Sequence, residues 1–148
     1  MEGAPPADGV VTFVTVLNKK DWIETPCSSD SDCPEKNAMC YYDKCLCDIG
    51  FIYSVGRKAC VSTCALSDLQ TSYIKYPEGG LAGYNMYQVQ ANAEECKSIC
   101  TNDTQCMNFE ITSVPVTKLT YCNFHYVPLS TTTVDIDKDW DFYAKTCA

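Results

Sequence analysis

CSSDSDCPEKNAMCYYDKCLCDIGFIYSVGRKAC, residues 27–60, places six cysteines in 34 residues and carries almost no uninterrupted apolar periodicity. A stretch so short and so broken in hydrophobic pattern cannot bury enough surface to hold itself, so covalent staples must organise it. The other six of the chain's twelve cysteines lie between Cys64 and Cys147. Twelve cysteines in 148 residues is the density of a disulfide scaffold, and the even count permits complete pairing. Both imply an oxidising compartment. A reduced zinc protein would instead use C-x2-C knuckles or cysteines joined by histidines. The close spacings here are C-x-C (Cys45, Cys47), C-x3-C (Cys60, Cys64 and Cys96, Cys100) and C-x5-C (Cys27, Cys33 and Cys100, Cys106), and the only histidine is His125. No zinc site follows, and no cofactor is expected.

Working outward, the end of the first stretch suggests two short strands, with Gly50 permitting the turn and Phe51 and Tyr53 on one face of the chain after it. Only Val61, Ser62 and Thr63 separate Cys60 from Cys64, which leaves room for a limited hinge. In the second stretch, residues 64–147, Asn92-Ala-Glu-Glu95 reads as a helix start. Asn92 is the cap and Glu95 stands where it can reach back to the cap amide, so a helix should run to about Thr101. Cys96 and Cys100 then share one face and can be bridged to a sheet beneath. Strand-like runs flank the helix at residues 84–90, 106–112, 119–127 and 142–147. One helix stapled onto an antiparallel sheet is the expected architecture.

Two resemblances rest on these residues. The ending Cys45-Leu-Cys-Asp-Ile-Gly-Phe51, with eight more residues before Cys60, resembles an epidermal-growth-factor-like module or the similar EB-type module of invertebrate secreted proteins. The growth-factor-like pairing implies bonds from Cys27 to Cys40, Cys33 to Cys45 and Cys47 to Cys60. The gap between Cys40 and Cys45 is only Tyr-Tyr-Asp-Lys, near the short end for that family, so the EB-type or a trypsin-inhibitor-like variant stays open. The second stretch resembles a PAN/apple module, in the runs ECKSIC, CMNFEI, YCNFH and DFYAKTC. That family's pairing implies Cys64 to Cys147, Cys96 to Cys122 and Cys100 to Cys106. The fold class these readings give is small and disulfide-rich: a β-hairpin module over 27–60, then an α+β module over 64–147.

Charge narrows the partners. The net charge of −8 divides as 6 basic against 9 acidic residues in 1–63 and 5 against 10 in 64–148. Acidity on both halves argues against nucleic acid, heparin-like polyanions and anionic membrane. No apolar run approaches the length of a membrane span. An oxidised protein needs export, yet residues 10–17 make a poor signal peptide: acidic and proline-rich residues precede them and no small-residue cleavage site comes after. The expectation is that a signal has already been removed. Residues 1–26 form a leader that carries MEGAPPADG and then VVTFVTVL at residues 10–17. In that run Val10, Val11, Phe13, Val14, Val16 and Leu17 read as a β-former lying outside both cysteine clusters. Such a strand can complete a sheet edge, its own or a neighbour's, and the second case gives a homo-polymer.

Further side chains invite chemistry. His125 alternates with apolar residues in YCNFHYV and is expected on a sheet surface, since no nucleophile motif accompanies it. Asp135, Asp137, Asp139 and Asp141 would crowd one face of a single strand, but Trp140 and Thr146 occupy the glycine and glutamate positions of a helix–loop–helix calcium loop. A solvated, edge-protecting strand is the reading. Calcium ahead of Cys27 lacks its oxygen ligands, because Ile23, Thr25 and Pro26 stand where acidic residues are needed. Asn102-Asp-Thr104 is a glycosylation sequon. The ten tyrosines are read as core. Together these readings, with the resemblances, imply a secreted, non-enzymatic protein that binds extracellular proteins or carbohydrates in adhesion, matrix or assembly. The alternative is a soluble effector such as a protease or receptor-interaction inhibitor, because leech antiplatelet proteins resemble the second stretch and inhibitor domains the first.

Overall fold

The closing run WDFYAKTC, residues 140–147, forms the strand around which the fold is organised. The computed structural model describes residues 21–48, 50–80, 85–112, 120–126, 135–136 and 139–148, with the backbone only at 135–136. In chain order the elements are β1 (Ala38–Tyr41), β2 (Lys44–Cys47), β3 (Ile52–Ser54), β4 (Ala59–Val61), β5 (Leu69–Tyr76), β6 (Gly79–Gly80), β7 (Tyr87–Gln90), α1 (Ala93–Asn102), β8 (Asn108–Thr112), β9 (Tyr121–His125), β10 (Asp135–Ile136) and β11 (Trp140–Cys147). The chain is thus small, disulfide-rich and mostly β, with one helix on a sheet among the described residues.

Strand β11 pairs antiparallel with β8 on one side (Trp140 opposite Thr112, Ala144 opposite Asn108) and with β5 on the other (Phe142 opposite Tyr76, Cys147 opposite Leu69). The sheet continues from β8 through β9 to β7, all antiparallel. Past the end of β8, Cys147 of β11 meets Ser54 of β3 in parallel register, and β3 pairs with β4. Residues 52–61 therefore belong to the same sheet as the second cysteine stretch. Beyond the three-residue connector, hydrogen bonds join the two stretches: the Val55 amide donates to Cys147 O (2.8 Å) and the Ser54 hydroxyl to Ala148 O (2.8 Å).

The alternation of β11 sends side chains to two cores. Phe142 and Ala144 join Leu46, Tyr53, Ile74 and Tyr76 on the face that the first stretch covers, with Trp22, Ile23, Met39, Tyr41 and Phe51 packed around them. Tyr143 goes to the opposite face, where Phe109, Ile111 and Phe124 lie under α1. The helix begins as its cap chemistry requires: the Asn92 side chain accepts from the Glu95 amide (2.9 Å) and the Glu95 carboxylate accepts from the Asn92 amide (3.0 Å). It ends at Asn102, and its only buried residues are Cys96 and Cys100.

Six disulfides use every cysteine: Cys27–Cys40, Cys33–Cys45, Cys47–Cys60, Cys64–Cys147, Cys96–Cys122 and Cys100–Cys106. These are the pairs drawn from the two resemblances. Cys96–Cys122 ties α1 to β9, and Cys100–Cys106 ties it to the turn before β8. The short gap between Cys40 and Cys45 becomes the β1–β2 hairpin, whose two-residue turn, Tyr42–Asp43, has positive φ at both positions (44° and 68°). That is the turn geometry which matches strand twist, but it is strained at a tyrosine. Gly50, at φ 97°, makes the later turn without such strain.

All four expected runs differ from the strands at their ends, the closing one beginning at Trp140 and not at Phe142. Among the described residues of the run 84–90 the strand spans Tyr87–Gln90, with the Met86 amide already donating to Phe124 O, and in the run 106–112 it spans Asn108–Thr112, because the Cys106 amide is taken by Asp103 O in a turn. Among the described residues of the run 119–127 the strand spans Tyr121–His125. Strand β5 has no counterpart among the expected strands. Its first half, Leu69-Gln-Thr-Ser72, is polar and exposed apart from the half-buried Leu69, and only Ile74 and Tyr76 are buried, so no period-2 apolar signal marks it.

Candidate functional site

Where the two cysteine stretches meet, the bonds from Ser54, Val55 and Ala148 leave a polar cleft of about 490 Å³. Its walls come from the loop at Lys36–Asn37, the β3–β4 hairpin with Arg57, the connector Ser62–Thr63 and the chain around Asp68 and Ala148. Asn37 holds a positive φ of 62° in that wall. Phe51 contributes a half-buried ring.

A second concavity, about 300 Å³, lies between β5 and α1 and is lined by Thr71, Tyr73, Lys97 and Thr101 among others. The Tyr73 hydroxyl, bonded to Lys97 O (3.1 Å) and the Thr101 hydroxyl (2.9 Å), locks the helix over the strand. On its outer side β5 has no strand partner among the described residues, and Gln70, Thr71 and Ser72 are exposed there. β4 and β7 end the strand order of the sheet among the described residues, and Gln88 and Gln90 of β7 are exposed. Asn102 of the sequon is exposed at the end of α1, beside this concavity, as is Thr104. The candidate assembly strand, residues 10–17, lies outside the described residues.

His125 is not on the sheet surface. It is fully buried at the end of β9, with Nδ1 2.8 Å from Asn108 Oδ1 and Nε2 2.9 Å from Asn85 Oδ1 and 3.2 Å from Glu110 Oε1, and its ring lies against Phe142. Both ring nitrogens thus face oxygen acceptors, and the side chain acts as an internal cross-link between β8, β9 and the chain entering β7. Sequence alternation misplaced it because the strand is covered on both faces, a condition that period-2 reading cannot detect.

A second polar centre had no sequence signal. Asp103, at the C-cap of α1, accepts from the Tyr126 hydroxyl (2.5 Å), the Tyr87 hydroxyl (3.0 Å) and the Gln105 amide (3.1 Å). Burial works against its charge, but the phenol and amide hydrogen bonds outweigh it and hold the carboxyl below its ordinary value. Burial, and then the Asp103 bond, raise the Tyr87 phenol; for Tyr126 the bond to Asp103 is the larger cause. Lys145, 4% exposed on β11, donates to Asp103 O (3.3 Å), and its burial lowers the ammonium pKa while the Asp103 charge opposes that shift. The cluster ties the helix terminus to β7, β9 and β11. A lysine supplying the last carbonyls of a helix is a favourable cap.

The acidic run does not form one strand. Asp135 lies in β10, which pairs with β6, while Asp141 lies in β11; Asp137 is outside the described residues. Asp141 is engaged, not solvated: it pairs with Lys75 (3.6 Å) and accepts from the Glu78 amide (3.0 Å), whose residue sits at a positive φ of 55°. Ahead of Cys27, Asp21 accepts from the Tyr53 hydroxyl (2.6 Å) and pairs with Lys58, so it too serves the fold. The Sγ atoms of Cys27, Cys33 and Cys45 lie within 4.8 Å of one another, but each is bonded in a disulfide and offers no thiolate to a metal. Of the tyrosines, Tyr53, Tyr76 and Tyr143 are buried, while Tyr42 is 46% exposed at its hairpin tip. No described helix is long and apolar enough to cross a membrane. No protein-family model matches the chain, and no curated protein matches it.

Proposed function

We propose that this chain is a secreted extracellular binding protein acting in adhesion, matrix or filament assembly, built from a growth-factor-like or EB-type module and a PAN/apple-like module. Six disulfides, with none left as free thiol, suit an oxidising exterior. The observation that carries the reading is the eight-residue edge strand β5, open on its outer side among the described residues, in a chain that also carries the apolar β-former at residues 10–17. An open edge takes an added strand through main-chain hydrogen bonds, and exposed β-branched runs supply one. Residues 10–17 of one copy adding to the edge of another yield a homo-polymer. Light scattering on the full chain and on a chain lacking residues 1–17 tests this: concentration-dependent mass is expected in the first and lost in the second. Equal masses would end the assembly reading.

A soluble effector is the second reading, and the Tyr42–Asp43 turn favours it. That turn is exposed, strained and braced by Cys27–Cys40 and Cys33–Cys45, which is how a rigid loop is offered to a partner's cleft. Assay against a panel of extracellular proteases separates the readings, since a monomer that inhibits and loses inhibition in Tyr42→Ala is an effector.

A further inference from the structure

The described basic side chains are distributed unevenly. Lys58, Lys75 and Lys97 pair with Asp21, Asp141 and Glu94, and Lys145 is bonded to Asp103 O. Lys36, Lys44 and Arg57 have no ion pair among the described residues, although the chain has 19 acidic residues against 11 basic ones. Two of these three, Lys36 and Arg57, line the polar cleft between the cysteine stretches, and Arg57 is the chain's only arginine. In an acidic chain, two cations without ion-pair partners in one concavity, facing the single carboxylate side chain of Asp68, leave a local positive field that attracts an anion. A guanidinium adds the fork geometry that suits a carboxylate.

The rest of the lining restricts what that anion is attached to. The hydroxyls of Ser62 and Thr63 and the amide of Asn37 offer donors and acceptors for hydroxyl groups, and Phe51 offers a ring for an apolar face. Asp68, in the same wall, and the overall charge of −8 oppose a ligand of many charges. The cleft's volume of about 490 Å³ is within the range of small-ligand sites, which favour places where two substructures meet. We infer that the cleft between Lys36, Arg57 and the Ser62–Thr63 connector binds a single carboxylated sugar unit, of the uronic-acid class. Its carboxylate meets Arg57 and Lys36, its hydroxyls meet Asn37, Ser62 and Thr63, and its ring lies against Phe51. This site is separate from the β5 edge and stands or falls independently of assembly.

The test titrates the full chain with methyl glucuronide, methyl glucoside and an acidic dipeptide while backbone amide signals are followed by NMR. Saturable shifts with the glucuronide are expected at Arg57, Ser62 and Thr63. Loss of a charge-assisted hydrogen bond weakens binding by about tenfold or more, so the neutral glucoside and the Arg57→Gln chain should both show that loss. Lys36→Gln should give a smaller loss of the same kind. Both side chains are exposed, so these variants keep the fold, and unchanged disulfide-core signals will show it. Absence of saturable glucuronide shifts, glucoside binding as tight as glucuronide, glucuronide affinity untouched by Arg57→Gln, or tighter binding of the dipeptide would each overturn the assignment.

Discussion

The two faces of the central sheet are held in different ways. Under α1, three phenylalanine or tyrosine rings surround Phe109, with Tyr143 stacked at 5.0 Å, Phe124 at 5.6 Å and Tyr73 at 5.7 Å, and the helix over them is anchored by two disulfides whose sulfur-bearing residues are fully buried. The other face is covered by chain with little regular structure. There a hairpin, a few turns and residues such as Trp22 and Tyr41 lie against Phe142 and Tyr76, and three disulfides with sequence separations of 12 or 13 hold the cover together. One face is packed first and stapled second. The other is stapled so that it can be packed at all, as expected where too few apolar residues exist to hold a loop-rich segment.

The largest expected effect that sharpens this contrast comes from the bond that closes the second stretch. Removing Cys64–Cys147 as a double serine variant should lower unfolding free energy by about 4 to 5 kcal/mol, whereas removing Cys100–Cys106 should cost roughly 2 kcal/mol, because the loops close over very different lengths. The separations are 83 and 6 residues, and denaturant titration of both variants compares them. Next comes the aromatic core: Phe109→Ala is expected to cost about 3 to 5 kcal/mol. Phe142→Ala should cost less, since its ring neighbours among the described residues are Tyr76 and His125 and its cover is stapled in place. An equal or larger loss at Phe142 would break the distinction between the faces.

Smaller again is the helix cap. Asn92→Ala should cost about 1 kcal/mol by thermal or chemical unfolding, since it frees the Glu95 amide at an exposed helix start. The last effect is a pH dependence of the Asp103 cluster. Because the folded carboxyl is depressed, its contribution is present above the ordinary carboxylate range and is lost as pH falls below about 4. The raised phenols of Tyr87 and Tyr126 contribute in the opposite sense, stabilising below about pH 10 and losing that contribution as pH rises through their folded values. Unfolding midpoints across pH in the parent and in Asp103→Asn check both limbs, and an unchanged acid slope in the variant would remove Asp103 as its source.

Much of the frame is legible in the sequence. The helix start can be read from Asn92 and Glu95, because a capping box is complete within four residues. The strands through Phe109, Phe124 and Tyr143 can be read from runs of apolar and aromatic residues. Strand β5 cannot, since its polar half is held by β11 some seventy residues away and not by its own pattern. His125 is misplaced for a related reason: burial on both faces depends on what α1 and the first stretch cover. The Asp103 cluster and the cleft at Arg57 join residues far apart in sequence, and no spacing rule connects them.

By itself, then, the sequence determined what is local or compositional: a disulfide-rich scaffold, the division of cysteines into two groups of six, the capped helix, and a net charge of −8. These depend on residue type and on neighbours a few positions away. Only the tertiary structure decided that residues 52–61 extend the second stretch's sheet, that β5 is an edge, that His125 is internal, and that Lys36 and Arg57 share a cleft. Each of these is a contact between distant segments, and its energy comes from surfaces that exist only once β11 has paired on both sides.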